Sequence, residues 1–272
     1  MTWIALRVTP EVNRDGVIAA LFESGSQGVQ EDGAAVVTHF QADARIHEIR
    51  NAVLAADPRA DIAIAEAPDT DYSQWRASVS SHQVGGLLIA PPWLAGGLDP
   101  DKTVIIDPVM AFGTGEHPTT RGALRLMHGV IRPGDMVADL GAGSAVLSIA
   151  AVKLGAARVA AVEIDHDSIG NAEENIRTNS VSERVEVIEG DATTLLPLLA
   201  PVRVVIANII SSVIIPMLPL MRSSLADGGQ AILAGILTEE KEPMVAALVE
   251  GGWVVEREDT EDVWWSVQIA RQ

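Results

Sequence analysis

The sequence predicts an α/β protein in which a parallel sheet, covered by helices on both faces and ended by an antiparallel hairpin, follows a small α+β domain. Three observations predict it. Between residues 136 and 250, apolar strand-like runs alternate with stretches of helical spacing, and repeated alternation of this kind builds a parallel sheet with helices on both sides. The last two strand-like segments, 253–258 and 264–270, are joined by the acidic turn Asp259-Thr260-Glu261-Asp262, a connection too short for any but an antiparallel pair. Residues 1–67 follow another order: strand, helix, strand, strand, helix, strand. That is the ferredoxin-like split arrangement, with helices on one face of an antiparallel sheet.

In this first domain, residues 3–9 alternate like a half-buried strand and 12–22 take helical spacing closed by Gly25. Residues 28–30 and 34–40 read as strands joined by Glu31-Asp32-Gly33, 44–56 as a helix stopped by Asp57-Pro58, and 62–67 as a final strand. No catalytic constellation falls here, which suits binding better than chemistry. Residues 68–101, rich in Pro, Gly, Ser and Asp, read as a linker plus the entry to the second domain, with a helical patch around Trp75 and a strand-like segment, 87–90. The second domain then spans 102–272. After strand 136–140 and a helix from Val146, it reads as strand 158–163, helix 167–179, strands 185–189 and 202–207, helix 210–221, strand 230–233 and helix 239–250.

Composition excludes several classes. At 272 residues and 48% apolar content the chain can bury large cores, and with no cysteine it has neither disulfides nor thiolate chemistry. No apolar run approaches the ~18 residues of a membrane span, and the start carries no basic region before an apolar block, so a cytoplasmic protein is expected. A net charge of −18 argues against direct nucleic-acid binding, which needs clustered Lys and Arg. It suits a basic partner, or simply solubility.

The turn after strand 136–140 carries the chemistry. Gly141 and Gly143 lack a Cβ, so they permit conformations closed to other residues and let a ligand approach the main chain. Such a turn followed by an acid after the next strand also describes a dinucleotide site. Here Asp139 stands beside the turn, where it would repel pyrophosphate, and Val146 occupies that fingerprint's third glycine position. A ligand bearing an ammonium and a sulfonium fits instead, and S-adenosylmethionine is one. Glu163 is placed to accept hydrogen bonds from two ribose hydroxyls. Asp191, after the third strand, is expected to take an adenine amine, or only to form a turn with Gly190. Asn208, ending the apolar run at Ala207, either caps the next helix or orients the methyl acceptor. Before the cofactor strand, the loop Phe112-Gly113-Thr114-Gly115-Glu116-His117 ends where Pro118-Thr119-Thr120 opens a helix, and it reads as a flap over the ligand. His117 alone is a weak signal for acid–base work, and no His, Asp or Glu stands near it at metal-ligand spacing; no metal is expected.

The loop Asp107-Pro108-Val109-Met110-Ala111-Phe112-Gly113-Thr114-Gly115-Glu116-His117-Pro118-Thr119-Thr120, the turn 139–143, Glu163-Ile164-Asp165, Ala207-Asn208-Ile209 and Ala234-Gly235-Ile236-Leu237 resemble the PrmA family in order and spacing. Gly28-Val29-Gln30-Glu31-Asp32, Trp75 and Pro91-Pro92-Trp93 extend the resemblance to nearly the whole chain. That family methylates protein eleven of the large ribosomal subunit. The resemblance implies a class I methyltransferase-like fold, cofactor contacts at Thr120, Gly141, Glu163 and Asn208, and an amino-terminal domain that recognises a basic ribosomal protein; the chain is expected to act as a monomer. Three residues depart from the family pattern: Val109 and Ala145 stand where glycine is usual, and Ala142 where cysteine is common. Methyl transfer to an amine needs alignment more than a strong base. Asn208 is the residue expected to orient a neutral lysine ε-amine; an α-amine, with a lower reference pKa, would be easier still. The rival readings are a different methyl acceptor, a non-catalytic module that keeps the fold, and a nicotinamide-dependent oxidoreductase.

Overall fold

The computed structural model describes residues 3–26, 30–41, 45–66, 79–107 and 115–272. Residues 108–114, with Val109, Phe112, Gly113 and Thr114 among them, fall outside that range, as do Gly28, Val29 and Trp75. The chain divides into two compact units, 1–78 and 79–272.

The first unit orders as β1 (Trp3–Thr9), α1 (Arg14–Glu23), β2 (Gln30–Asp32), β3 (Ala35–Gln41), α2 (Ile46–Ala56) and β4 (Asp61–Glu66). Its antiparallel sheet has the order β2-β3-β1-β4. Leu6 and Val8 of β1, two residues apart and so on one face, form a single core with Val17 and Leu21 of α1 and Ile49 and Val53 of α2.

The second unit begins with a small sheet, β5 (His82–Val84), β6 (Leu87–Ala90) and β7 (Thr103–Ile105). Val84, Leu87 and Ile89 belong to the main core of the unit, so from His82 onward the stretch read as linker is folded structure. After α3 (Pro118–Met127) come β8 (Met136–Leu140), α4 (Val146–Lys153), β9 (Arg158–Glu163), α5 (His166–Thr178) and β10 (Val185–Glu189). They are followed by α6 (Ala192–Leu199), β11 (Val202–Asn208), α7 (Ser211–Ser224), β12 (Leu225–Leu237), α8 (Lys241–Glu250), β13 (Trp253–Glu261) and β14 (Trp264–Arg271). The seven-stranded sheet has the order β10-β9-β8-β11-β12-β14-β13, with β14 antiparallel to both neighbours. Alternation along each strand feeds two cores. Val137, Val159, Val204 and Ile206 face one side, Ala138, Leu140, Val205 and Ala207 the other, which is why these strands read as continuous apolar runs. Among the described residues, no helix is long and apolar enough to cross a membrane.

Three expectations are corrected. The segment between β10 and β11 holds a helix, α6; Pro197 lies inside it and hides its spacing. β12 runs 13 residues rather than four, with a register shift between Leu233 and Ile236. Asp259, Thr260 and Glu261 belong to β13, and the hairpin turns at Asp262-Val263, with Asp262 at φ 54°. Placing those acids in a strand gives them partners on α3: Arg125 grips Asp259 through two bonds of 2.7 and 2.5 Å and reaches Glu261 at 2.7 Å, while Arg121 bonds Glu261 at 2.8 Å. Arg257 of β13 donates to the carbonyls of Arg125 and His128 at 3.3 and 3.1 Å, satisfying acceptors at the end of α3. Gly122 lets the helix sit close, since a Cβ there would stand 2.5 Å from Ser266 Oγ. The start of α3 is thereby fixed against the end of the sheet.

In the first unit, Asp57 is buried and its carboxylate accepts backbone N–H groups from Glu11, Val12 and Asn13 at 2.7–3.0 Å and from Arg59 at 3.0 Å. These bonds, those of Val12 and Asn13 foremost, hold its pKa at about 2. An unfolded aspartate titrates near roughly 3.9, so this carboxylate contributes stability in full above about pH 4 and loses it as pH falls toward 2. Hydrogen-exchange protection of peptides from 3–26 and 45–66 should drop across that window. Asp57→Asn should lower protection already at neutral pH and flatten the acid dependence; an unchanged profile would contradict this role.

Candidate functional site

In parallel sheets, ligands bind at the carboxyl ends of the strands where the strand order reverses. Here the chain moves outward from β8 through β9 to β10 and then returns to the other side of β8 with β11, so the reversal lies between β8 and β11. A cavity of about 730 Å³ opens at that edge, lined among others by His117, Gly141, Gly143, Glu163, Asp191 and Asn208. Its size falls within the roughly 300–1,000 Å³ of ligand sites. A smaller cavity of about 400 Å³, beside Lys153 and Arg184, lies near the carboxyl ends of α4 and α5, away from this edge.

The cradle is made of backbone. Gly141 and Gly143 take φ +74° and +51°, the left-handed region. The N–H groups of Gly141 and Ala142 both donate to Val162 O, at 2.9 and 3.0 Å. Ala145, at the third glycine position of the turn, also takes φ 64° although it carries a Cβ, and it offers no side-chain cap to α4. A Cβ on Gly141 would stand 2.5 Å from Ile209 Cγ2, and one on Gly235 (φ +82°) would stand 2.5 Å from Ile209 O. Ile209 is thus held between two glycines on opposite sides of the β11 end.

Glu163 is 7% exposed and ends β9. One carboxylate oxygen accepts the Gly143 N–H at 2.8 Å and the other the Asp165 N–H at 2.9 Å. Each oxygen keeps acceptor capacity for a ligand. Asp165 caps α5, accepting from Asp167 N at 3.1 Å and Ser168 Oγ at 2.8 Å.

The other expected residues divide. Asp139 is buried behind the cradle rather than lining the cavity: Ser148 Oγ donates to its Oδ2 at 2.6 Å, and among the described residues Oδ1 has no partner. Burial pushes its pKa up to about 6, against the pull of Ser148 and with the charge of Glu163 adding to the rise. Asp191 lines the cavity but spends one oxygen as the N-cap of α6, accepting from Thr193 N and Oγ1 at 2.7 and 2.6 Å, and those bonds lower its pKa. Thr120 is fully buried inside α3 and stands behind Asn208, whose Nδ2 donates to Thr120 Oγ1 at 3.4 Å. Asn208 does not cap α7, whose N-cap is Ile210. Its Oδ1 is buried and, among the described residues, unpartnered.

Of the loop, Gly115, Glu116 and His117 are described. Gly115 is buried at φ +86° with its carbonyl 2.9 Å from His82 Nε2. His117 caps α3: its Nδ1 lies 2.8 Å from Thr119 Oγ1 and accepts the Thr119 N–H at 3.4 Å. Among the described residues, no group of three His, Asp or Glu side chains is arranged to hold a metal.

The lining also includes Ile164, Ile210, Val213, Met217 and Trp264, which the sequence reading missed. Ile164 and Ile210 are 70% and 63% exposed, unusual for apolar residues beside a strand end. A signal for Trp264 existed: two adjacent tryptophans on one strand must face opposite ways, so Trp264 and Trp265 cannot share one core. The lining carries three carboxylates, Glu163, Asp165 and Asp191, and among the described residues no Lys or Arg. These carboxylates would repel a pyrophosphate, whereas a cationic ligand with hydroxyl donors fits.

The comparisons agree with this geometry. A family model described as ribosomal protein L11 methyltransferase (PrmA) matches residues 9–272. A protein named ribosomal protein L11 methyltransferase from Exiguobacterium sp. is 36% identical over 210 residues, covering 76% of this chain and 67% of its own. One of the same name from Myxococcus xanthus is 31% identical over 292 residues, covering 99% of each chain. The crystal structure of ribosomal protein L11 methylase from Lactobacillus delbrueckii subsp. bulgaricus is similar with a TM-score of 0.63 at 29% identity, covering 69% of this chain and 95% of that one. With a fold of the class I methyltransferase kind and a family match over nearly its whole length, the chain belongs to the PrmA family of methyltransferases.

Proposed function

We propose that the protein transfers methyl groups from S-adenosylmethionine to lysine ε-amines of ribosomal protein L11. The observation that carries the cofactor half is the joining of Glu163 to a glycine cradle in a cavity lined by carboxylates and free of Lys and Arg among its described residues. The acceptor half rests on the relatives' names. When bound, S-adenosylmethionine supplies a methyl group on a positively charged sulfur, and transfer to an amine leaves a neutral sulfide and one proton for water. Glu163 takes the ribose hydroxyls on acceptor sites left free by Gly143 and Asp165. Asp139, with its orphaned oxygen, lends negative potential beneath the cradle.

Asn208 supplies the acceptor site. Thr120 engages its amide nitrogen, so Oδ1, buried and unpartnered among the described residues, is the atom assigned to accept an N–H from the amine once the amine displaces what covers it. An amine that donates a hydrogen to Oδ1 keeps its lone pair free for the methyl carbon. A dry apolar chamber favours the neutral amine over the ammonium. The first unit is assigned to recognition of the protein substrate, and the acidic chain favours a basic one.

Incubation with labelled S-adenosylmethionine and purified L11 should label L11. Binding of the cofactor with no label on L11 would overturn the acceptor, and tight binding of a nicotinamide dinucleotide would overturn the cofactor. Asn208→Ala should cut kcat on the order of 10²-fold, the cost of misplacing a reactant by about 1 Å, while calorimetry shows cofactor affinity little changed; full turnover would contradict the role. The rate should rise with pH above about 7, because the lysine amine titrates near ~10.4 whereas Asp139, at about 6, is already ionised.

A further inference from the structure

The sheet order gives the cavity two unlike ends. Glu163, Asp165 and Asp191 sit beyond β9 and β10; Asn208 and Gly235 belong to β11 and β12. Because β14 runs antiparallel to β12, its first residue, Trp264, reaches the same edge and pairs with Leu237. Trp265 faces the other way, fully buried, with its indole N–H donated to Glu258 at 2.9 Å. Trp264 is half-buried and lines the cavity. Its ring meets the His117 imidazole edge to face, 5.1 Å between centroids and 65° between planes. His117 is itself anchored at the start of α3 through Nδ1, and burial, with Arg121 nearby, lowers its pKa. Every carboxylate of the described lining lies beyond β9 or β10, whereas Trp264 starts β14 beside β12, and Asn208, Ile210, Val213 and Met217 belong to the end of β11 and the segment that follows it.

This composition suits one kind of occupant. A carboxylate beside an acceptor amine would hold its proton on and suppress the nucleophile. An indole face gives an aliphatic stem a large apolar contact and still attracts the ammonium that arrives and the alkylated ammonium that leaves. Resting on the function proposed above, we infer that Trp264 is a specificity-determining residue whose indole forms the wall for the acceptor's alkylamine side chain, and that His117 is a positioning residue that holds the indole edge-on.

The test uses the full chain with S-adenosylmethionine, purified L11 and, for cofactor affinity, S-adenosylhomocysteine. Trp264→Ala should raise KM for L11 about tenfold while the Kd for S-adenosylhomocysteine stays within about twofold, a loss confined to the acceptor. Trp264→Phe should restore most of the acceptor KM, since it keeps an aromatic face. His117→Ala should move KM in the same direction by a smaller factor, again without a change in cofactor Kd. Wild type that methylates L11, with Trp264→Ala showing an unchanged KM or a parallel loss of S-adenosylhomocysteine affinity, would overturn the inference alone. Wild type that binds S-adenosylhomocysteine but leaves L11 unmethylated would overturn the acceptor reading and this inference together. Equal KM values for the Phe and Ala variants would also overturn it, because both lack the indole but only Phe keeps a ring.

Discussion

Two backbone N–H groups from neighbouring loops meet on one carboxylate, that of Glu163, and the cofactor end of the site depends on that meeting. Gly143 belongs to the turn after β8 and Asp165 to the turn after β9. The parallel register, Leu140 opposite Val162, brings those turns side by side. Charge-assisted bonds of this kind contribute about 1.5 to 3 kcal/mol each, enough to select one conformation of a glycine-rich turn that would otherwise have many. The same pair of loops is tied a second time through Val162 O. A cradle held this way is shaped before any ligand arrives, which lowers the ordering cost of binding.

The end of the cavity proposed for the acceptor is organised by close packing rather than by charge. Ile209 fits between Gly141 and Gly235 with no room for a Cβ on either. Ser211 Oγ bonds Glu240 at 2.7 Å, and Glu240 also accepts the Leu237 N–H at 2.9 Å, so the turn after β11 is fastened to the end of β12. On the other flank, the ion pairs from Arg121 and Arg125 to Glu261 and Asp259 join α3 to the terminal hairpin. Through that junction the residues that sequence spreads over 117, 120, 208 and 264 converge on one edge. The ion-paired side chains are partly exposed, and solvent screens such pairs; their value here is geometric registration of α3 on β13.

The alternating strands and the closing hairpin were legible because both faces of the sheet are buried, which writes long apolar runs into β8, β9 and β11. The glycine turn and Glu163 were legible because a glycine-rich turn after an apolar strand, followed by a helix and an acid after the next strand, is a pattern of spacing that few other arrangements produce. What stayed hidden has physical causes. Pro197 masked α6, and the acids of β13 looked like a turn because their arginine partners stand more than a hundred residues away on α3. Asp139 and Thr120 were read as ligand contacts, yet the structure sets them one layer behind, on Ser148 and Asn208. Sequence spacing locates a residue along the chain but does not tell the first layer from the second. Trp264 was overlooked since an aromatic at a strand start is usually core, as Trp265 is.

The central claim is that the carboxylate that builds the cradle also reads the ribose. Calorimetry of S-adenosylhomocysteine and its 2′-deoxy analogue, each against wild type and Glu163→Gln, tests it most directly. Losing the hydroxyl should weaken binding to wild type about tenfold or more, the value of a hydrogen bond to a charged group, and should have little effect on the variant. An equal loss in both proteins would mean that Glu163 shapes the loops without touching the ligand, and would contradict the account.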